Sequence, residues 1–251
     1  MIEIRDVAHR AGPARILSDI TLDIPRGGVT ALIGPNGAGK STLLSLVARL
    51  EPLQQGRITV DGRDVGRTPT DRLARHLSIL RQDTGLAARL TVRDLVGFGR
   101  YPHHKGRPGP ADRAAIADAI AAFDLEPLAD RFTDTLSGGQ RQRALVAMTW
   151  AQGTDYVLLD EPLNNLDMAH ARALMLRLRD MAATGRTVVV VLHEVNYAAA
   201  HADHVVAMKD GRVARTGPAA EVLTGATLSR LFDSPVEMAE IGGRSFALHH
   251  G

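Results

Sequence analysis

The chain has no cysteine, few aromatic residues and no long hydrophobic run. Without cysteine it can form neither disulfides nor thiolate metal sites, which is compatible with a reducing compartment. Aromatic side chains make up only 4% of the 251 residues, so the core must consist mostly of Ala, Leu, Val and Ile. No segment approaches the roughly 18 apolar residues that a membrane-spanning helix needs. We therefore expect a chain that is soluble by itself and serves any membrane through a partner.

An excess of one charge is also missing. The 30 Lys and Arg residues against 28 Asp and Glu give a formal net charge of +2, and no long run of like charges occurs. Composition therefore offers no argument for a nucleic-acid partner or for direct binding to a membrane surface. Charged residues near the N-terminus also interrupt the apolar stretch that a signal peptide requires.

Strand and helix patterns alternate in the two outer thirds of the chain, with a helical region between them. Apolar runs at residues 29–33, 156–159 and 187–192 are typical of strands buried on both faces of a parallel sheet. Residues 2–7 and 16–24 instead alternate like antiparallel strands. The pattern predicts an α/β fold with a mostly parallel sheet, an N-terminal antiparallel β subdomain and an inserted helical subdomain.

We expect a single domain over residues 1–251. Its parts are a core of about residues 1–83 and 151–217, a helical subdomain of about 84–150 and a short C-terminal tail of about 218–251. Helices are predicted in four places: residues 41–50, 111–123 and 168–183, and from about Ser137 onward.

A glycine-rich loop at residues 34–42, GPNGAGKST, follows the first buried strand and precedes a helix. Its glycines let successive backbone N–H groups point at phosphate oxygens, and the helix adds its positive N-terminus. An ordinary glycine turn before a surface helix is the alternative, and the strand–loop–helix context argues against it. The loop predicts a nucleotide phosphate site in which Lys40 reaches the β- and γ-phosphates and Ser41 offers a hydroxyl to Mg²⁺. The predicted binding residues are Gly34, Pro35, Asn36, Gly37, Ala38, Gly39, Lys40, Ser41 and Thr42.

Two carboxylates end the buried strand at residues 156–161, YVLLDE. Acidic residues usually lie on solvated faces, but this strand delivers both to the carboxyl edge of a parallel sheet, where ligands bind. Asp160 is placed to hold Mg²⁺, and Glu161 to orient or deprotonate an attacking water.

A second glycine turn, LSGGQ, opens the helix at residues 136–140. A capped helix start is the simpler explanation, because serine is a good N-cap. Two adjacent glycines before an arginine-rich helix also form an anion-binding turn, and we predict that Ser137, Gly138, Gly139 and Gln140 bind nucleotide.

With these three motifs in this order, the chain resembles the ATP-binding subunit of an ABC transporter over nearly its whole length. The resemblance implies a phosphate-loop NTPase core that binds ATP and Mg²⁺ and hydrolyses ATP. It also implies a homodimer or paired ATPase subunits, in which Ser137, Gly138 and Gly139 close on the γ-phosphate held by the partner.

The resemblance assigns roles to further residues by their register. Gln82 matches the glutamine that senses Mg²⁺ and the attacking water, so that Ser41, Gln82 and Asp160 are the metal ligands it implies. Asp167 lies in the loop that crosses between subunits, and His193 matches the histidine that contacts the γ-phosphate.

The chain departs from the family where an aromatic residue usually stacks on adenine. The corresponding stretch is His9, Arg10 and Ala11, with Ala11 nearest the expected register. His9 or Arg10 could stack instead, and the loss of the aromatic ring predicts weaker discrimination between ATP and GTP than in relatives that have it.

Residues 90–107 and 161–167 resemble importers of iron–siderophore complexes, which implies membrane-spanning permease subunits, an indirectly acting substrate-binding protein, and a peripheral position at the cytoplasmic face of the inner membrane. Phe98, Tyr101 and Pro102 are then candidates for contact with a permease helix, with packing inside the helical subdomain as an equal alternative. Haem or cobalamin import, export, and a non-transport ATPase scaffold are the other functions considered.

The chain also contains two histidine pairs, His103 with His104 and His249 with His250. We interpret both pairs as polar surface rather than iron ligands.

Overall fold

The computed structural model describes residues 1–82 and 89–248. The strands are β1 (Ile2–Ala11), β2 (Ala14–Ile24), β3 (Gly28–Ile33), β4 (Gln55–Val60), β5 (Arg63–Asp64), β6 (Leu77–Leu80), β7 (Tyr156–Leu159), β8 (Thr187–Val191), β9 (His204–Lys209), β10 (Arg212–Pro218), β11 (Glu237–Ile241) and β12 (Arg244–Leu248). The helices are α1 (Lys40–Val47), α2 (Thr70–Leu73), α3 (Val92–Phe98), α4 (Tyr101–His104), α5 (Pro110–Ala122), α6 (Gly138–Ala151), α7 (Met168–Ala183), α8 (Val195–His201), α9 (Ala219–Val222) and α10 (Gly225–Phe232). The predicted α/β class is confirmed.

The chain divides into two compact units. The first comprises Met1–Thr68 and Leu178–Gly251, and the second comprises Pro69–Arg177. No helix in the described part of the chain is long and apolar enough to span a membrane.

The N-terminal part of the first unit is an antiparallel sheet with strand order β2-β1-β4-β5. Alternating apolar residues turn one face inward, so that Ile2, Ile4, Ile20 and Leu22 are buried. Register shifts between Ile4 and Arg10 interrupt the pairing of β1 with β2. This sheet confirms the predicted N-terminal antiparallel subdomain.

The rest of the first unit contains parallel strands. β3 pairs in parallel with β8 on one side and with β9 on the other, and β10 pairs antiparallel with β9. Every residue of β8 is buried, as expected for a strand covered on both faces. The carboxyl ends of β3 and β8 therefore lie together at one edge, where the phosphate loop and His193 follow them.

The second unit combines one parallel strand pair with packed helices. β6 pairs with β7, with Leu77 opposite Tyr156 and Leu80 opposite Leu159. Helices α3 and α6 approach closely because Gly99 has no side chain: a Cβ there would lie 2.0 Å from the carbonyl oxygen of Met148. Helix α5 confirms the helix predicted at residues 111–123, and Ile120 lies on its buried face.

Some predicted element ends are wrong. The first helix, predicted at residues 41–50, ends at Val47 because Arg49 adopts a left-handed φ of 55° and its guanidinium donates to the carbonyl of Val65. The segment at residues 124–135, for which the sequence analysis predicted no helix, contains short 3-10 turns at Glu126–Leu128 and Thr133–Thr135.

Two Asp-Gly turns give a matched test of the packing. Gly62 and Gly211 have φ of 73° and 71°, but a Cβ at Gly62 meets nothing within 4 Å, whereas one at Gly211 would lie 2.3 Å from the carbonyl oxygen of Ile16. We expect Gly62→Ala to lower the free energy of unfolding by about 1 kcal/mol through backbone strain. Gly211→Ala should cost roughly 1–3 kcal/mol more, because β2 must also move. Urea unfolding measures both, and equal losses would contradict this packing.

Candidate functional site

The phosphate loop of the first unit has a backbone that its glycines make possible. Gly34, Gly37 and Gly39 have φ of 144°, 79° and 92°, a region that residues with a Cβ rarely adopt. Added side-chain atoms would also collide, since a Cβ on Gly34 would lie 2.0 Å from the carbonyl oxygen of Met208. The loop runs from buried strand β3 into the N-terminus of the eight-residue helix α1. This geometry suits binding of an anion.

Lys40 places its ammonium group inside this loop. The residue is only 5% exposed, and its Nζ donates to the carbonyl oxygens of Gly34 at 2.8 Å and Pro35 at 2.9 Å. A buried cation is costly unless an anion or hydrogen-bond acceptors surround it. Lys40 thus holds its positive charge inside the loop, and its contact with the β- and γ-phosphates stays a prediction.

His193 stands just beyond the end of β8 in the same unit. The backbone N–H of Leu192 donates to the carbonyl of Leu32 at 3.1 Å, which holds the end of β8 against β3. His193 is exposed. The side chain that the sequence placed at a strand end is accordingly at the sheet edge to which the phosphate loop is also attached.

The second unit brings Gln82 and Glu161 together. The Nε2 of Gln82 donates to Glu161 Oε2 at 2.7 Å, and Asn164 Nδ2 donates to the same oxygen at 2.6 Å. Glu161 is half-buried and has a left-handed φ of 51°, which is a strained conformation often found at functional sites. Two amide donors thus fix a carboxylate in an orientation that could accept a proton from water.

Asn164 is a residue that the sequence reasoning missed. Its contact with Glu161 spans three residues, and the stretch EPLNNLD contains it. The only sequence feature that could have indicated this contact is the position of the amide residue Asn164, three residues after Glu161.

Asp160 precedes Glu161 and is 6% exposed. Its backbone N–H donates to the carbonyl of Leu80 at 2.9 Å, which continues the pairing of β7 with β6. Asp160 therefore directly follows the last residue of β7, at the carboxyl end of the strand.

The residues predicted to hold Mg²⁺ fit that ion chemically. Ser41, Gln82 and Asp160 offer hydroxyl, amide and carboxylate oxygens, the hard ligands that Mg²⁺ prefers. Gln82 donates to Glu161 through Nε2, so its amide oxygen is not used in that contact. Residues 1–82 and 89–248 contain no cluster of three His, Cys, Asp or Glu side chains suited to a metal.

The second glycine turn, LSGGQ at residues 136–140, is the signature turn, and it caps helix α6. Ser137 Oγ accepts from the N–H of Gln140 at 3.3 Å, and Gln140 Oε1 accepts from the N–H of Ser137 at 3.0 Å. The capping explanation is therefore correct, and it leaves Gly138 exposed at the helix N-terminus. A Cβ on Gly138 would lie 3.6 Å from Asn165, so the turn packs beside the loop that leads to Asp167.

Asp167 is held by the first turn of α7. Its Oδ1 accepts from the N–H of His170 at 2.8 Å, and His170 Nδ1 lies 2.8 Å from the same oxygen. Hydrogen bonding by the His170 backbone, and then by its ring, holds the pKa of Asp167 below its ordinary value. His170 also escaped the sequence reasoning, because a single histidine on a helix is usually surface.

The candidates for adenine stacking are not equivalent. His9 is 6% exposed within the sheet, and its Nδ1 has no hydrogen-bond partner among the described residues. Arg10 is exposed, but its guanidinium donates to the carbonyl of Pro13 at 2.6 Å. Arg10, at the end of β1, is therefore more accessible to a nucleotide base than His9. Ala11 has no aromatic ring that could stack on a base.

The histidine pair at residues 103–104 has local structural roles. His103 Nε2 lies 2.8 Å from the carbonyl oxygen of Gln152, and His104 Nδ1 accepts from the N–H of Gly106 at 2.9 Å. Both histidines are half-buried in helix α4, so the expectation of an exposed polar surface is only partly correct. His249 and His250 lie outside the described residues.

A buried lysine in a glycine loop and a fixed carboxylate at a strand end are features of a nucleotide-hydrolysing domain, and a profile of the ABC transporter family matches residues 17–164. The chain belongs to the ABC transporter family. Because ATP-binding subunits of that family hydrolyse ATP, it is an ATPase.

Similar proteins match over nearly the full chain. The petrobactin import ATP-binding protein YclP of Bacillus subtilis is 40% identical, covering 99% of both chains. FatE of Bacillus anthracis, another petrobactin import ATP-binding protein, is 47% identical over 95% of this chain and 96% of its own. The hemin import ATP-binding protein HmuV of Rhodococcus jostii is 38% identical over 93% of this chain and 80% of its own.

Solved structures agree in fold. An inward-facing metal-chelate type ABC transporter matches with a TM-score of 0.84 and 27% identity, covering 99% of this chain and 95% of its own. A dimeric bacterial ABC transporter cassette matches with a TM-score of 0.78 and 26% identity, covering 87% of this chain and 99% of its own.

Replacing His170 by Ala should raise the pKa of Asp167. The value should stay below the ordinary one, because the backbone N–H of residue 170 still donates. A lowered folded-state pKa stabilises the fold above the ordinary pKa, and this stabilisation disappears as pH falls through the folded-state value. Any loss of stability in His170→Ala that comes through Asp167 should therefore be present at neutral pH and vanish in acid.

Carboxyl-carbon NMR titration measures this pKa directly. His104→Ala is the control, since that ring bonds to Gly106. An unchanged Asp167 pKa in His170→Ala would show that the ring contact has no electrostatic effect.

Proposed function

We propose that the chain is the ATP-hydrolysing motor of an importer for iron–siderophore complexes and drives separate membrane-spanning permease subunits. Similarity to two petrobactin import ATP-binding proteins over nearly the whole chain carries this proposal. The pairing of Gln82 with Glu161 supports the hydrolytic part, because it gives the expected base a fixed orientation.

The reaction is transfer of the γ-phosphoryl group of ATP to water. Glu161, oriented by Gln82 and Asn164, accepts the proton of the attacking water as its oxygen bonds to phosphorus. The bond between phosphorus and the β,γ-bridging oxygen breaks, and ADP and phosphate leave. Lys40 and His193 stabilise the charge on the γ-phosphate.

Mg²⁺ would be held by Ser41, Gln82 and Asp160. When bound, it neutralises charge on the phosphate oxygens. The phosphate loop, residues 34–42, would bind the rest of the ATP phosphates through its backbone N–H groups.

We propose that two copies act head to tail. Ser137, Gly138, Gly139 and Gln140 would complete the site of the partner, and Asp167 would lie in the loop that crosses between the subunits. The exposure of Gly138 at the N-terminus of α6 supports this, since an anion could reach the start of the helix there. Similarity to a dimeric cassette is compatible with the same arrangement.

The permease contact is proposed for the helical subdomain at about residues 84–150. Phe98 and Tyr101 are 53% and 56% exposed, so packing inside the subdomain does not account for them. Pro102 is half-buried, and its carbonyl accepts from Arg75 Nε at 3.1 Å. Two exposed aromatic side chains suit an apolar partner helix. The motor would thereby sit peripherally at the cytoplasmic face of the inner membrane, and a substrate-binding protein would act on it only indirectly.

Hemin is the second candidate cargo, and similarity to the hemin import protein HmuV favours it. The motor does not contact the cargo in either case, so its own site cannot discriminate between them. Cargo must therefore be tested in cells.

The decisive test is uptake of labelled ferric petrobactin by a strain lacking the gene. We expect uptake to be lost, restored by the native chain and not restored by Glu161→Gln, which keeps the side-chain size but cannot accept the proton. Labelled hemin is the parallel substrate. Normal petrobactin uptake in the deletion strain would refute petrobactin as the cargo, and lost hemin uptake would move the cargo to hemin.

A further inference from the structure

The segment from His193 to Val195 is anchored at both ends. On its N-terminal side, the N–H of Leu192 donates to the carbonyl of Leu32 at 3.1 Å. On its C-terminal side, the amide side chain of Asn196 bonds to the backbone of Ala247 in β12. His193 and Glu194 lie between these two attachments.

The Asn196 anchor uses both ends of one amide. Its Oδ1 accepts from the N–H of Ala247 at 2.8 Å, and its Nδ2 donates to the carbonyl oxygen of Ala247 at 3.3 Å. Ala247 is 4% exposed, so these backbone groups need a partner within the protein. An alanine side chain at position 196 would have neither the amide donor nor the amide acceptor, and an aspartate side chain would have only acceptors. Asparagine therefore ties the C-terminal hairpin β11–β12 to the start of α8.

A cavity borders the segment. It has a volume of about 380 Å³, and its lining includes His193, Glu194 and Val195 together with Leu228 of α10 and the anchor residue Ala247. Empty space supplies no packing contacts where the cavity meets the segment. The bonds between Asn196 and Ala247 therefore contribute to fixing the position of the segment.

We propose that Asn196 is a positioning residue for His193. By fixing the segment to the C-terminal hairpin, it holds the imidazole where it can contact the γ-phosphate. The inference rests on the proposed function, since it assigns that contact to His193.

Ser229 provides a matched control. Its Oγ accepts from the N–H of Val236 at 2.9 Å and donates to the carbonyl oxygen of Val236 at 3.4 Å. Ser229→Ala thus removes two side-chain bonds to the backbone of the same C-terminal region, as Asn196→Ala does. Only Asn196, however, is attached to the segment that carries His193.

The experiment measures ATP hydrolysis by the full chain together with its affinities for ADP and for a non-hydrolysable ATP analogue. We expect Asn196→Ala to lower kcat about five- to tenfold, as loss of a net hydrogen bond implies. The ratio of analogue to ADP affinity should fall, with ADP affinity unchanged. Ser229→Ala should change neither kcat nor the ratio of analogue to ADP affinity. Both variants should nevertheless melt at a lower temperature than the native chain.

A double-mutant cycle separates positioning from general destabilisation. In a His193→Ala background, Asn196→Ala should not lower the affinity ratio further, because its effect passes through the imidazole. Asn196→Asp keeps the acceptor for the Ala247 N–H, so it should fall between the native chain and Asn196→Ala. It serves as the test variant if Asn196→Ala does not fold.

The contrary outcomes are distinct. If His193→Ala leaves hydrolysis and the affinity ratio unchanged, the proposed role of His193 fails and this inference fails with it. If His193→Ala is impaired but Asn196→Ala behaves like Ser229→Ala, or the two losses multiply, the inference is overturned and the proposed function stands.

Discussion

A buried ammonium group governs the architecture of the nucleotide site. Lys40 is 5% exposed and is surrounded by carbonyl oxygens of its own loop. Such a charge is tolerable only where a tightly curved backbone supplies acceptors and where an anion can bind. The left-handed glycines provide the curvature, and buried strand β3 provides the rigid base from which the loop departs. The glycines at positions 34, 37 and 39 are therefore needed by the backbone that holds Lys40.

Placement of the carboxylate in the second unit follows a related logic. A general base has to be fixed in orientation and still be able to take a proton. Glu161 is fixed in orientation, because two neutral amides hold one of its oxygens without supplying a positive charge. Its left-handed backbone conformation is compatible with the role of base that we propose for it.

Much of the fold could be predicted because the relevant signals are local. Strand β7 and helix α7 have the bounds expected from apolar periodicity. The early end of α1 could not be predicted, because the guanidinium of Arg49 bonds to Val65, sixteen residues away. Likewise, the hydrogen bond between Asn196 and Ala247 joins residues that are fifty-one positions apart. The role of His170 became visible only in the structure, where its backbone N–H donates to Asp167. Motifs therefore identified the residues proposed to touch nucleotide, whereas the side chains that support them required the structure.

We propose that each ATP site is completed by the signature turn of a second copy. Hydrolysis by a mixture of two inactive variants measures whether the two copies share their sites in this way. Lys40→Ala disables the phosphate loop, and Gly138→Asp adds a negative charge where a Cβ has room, 3.6 Å from Asn165. Half of the pairs in an equal mixture should combine both variants, each with one intact site, so about a quarter of the native rate should return. A mixture no more active than the separate variants, with the native chain active in the same assay, would contradict the claim.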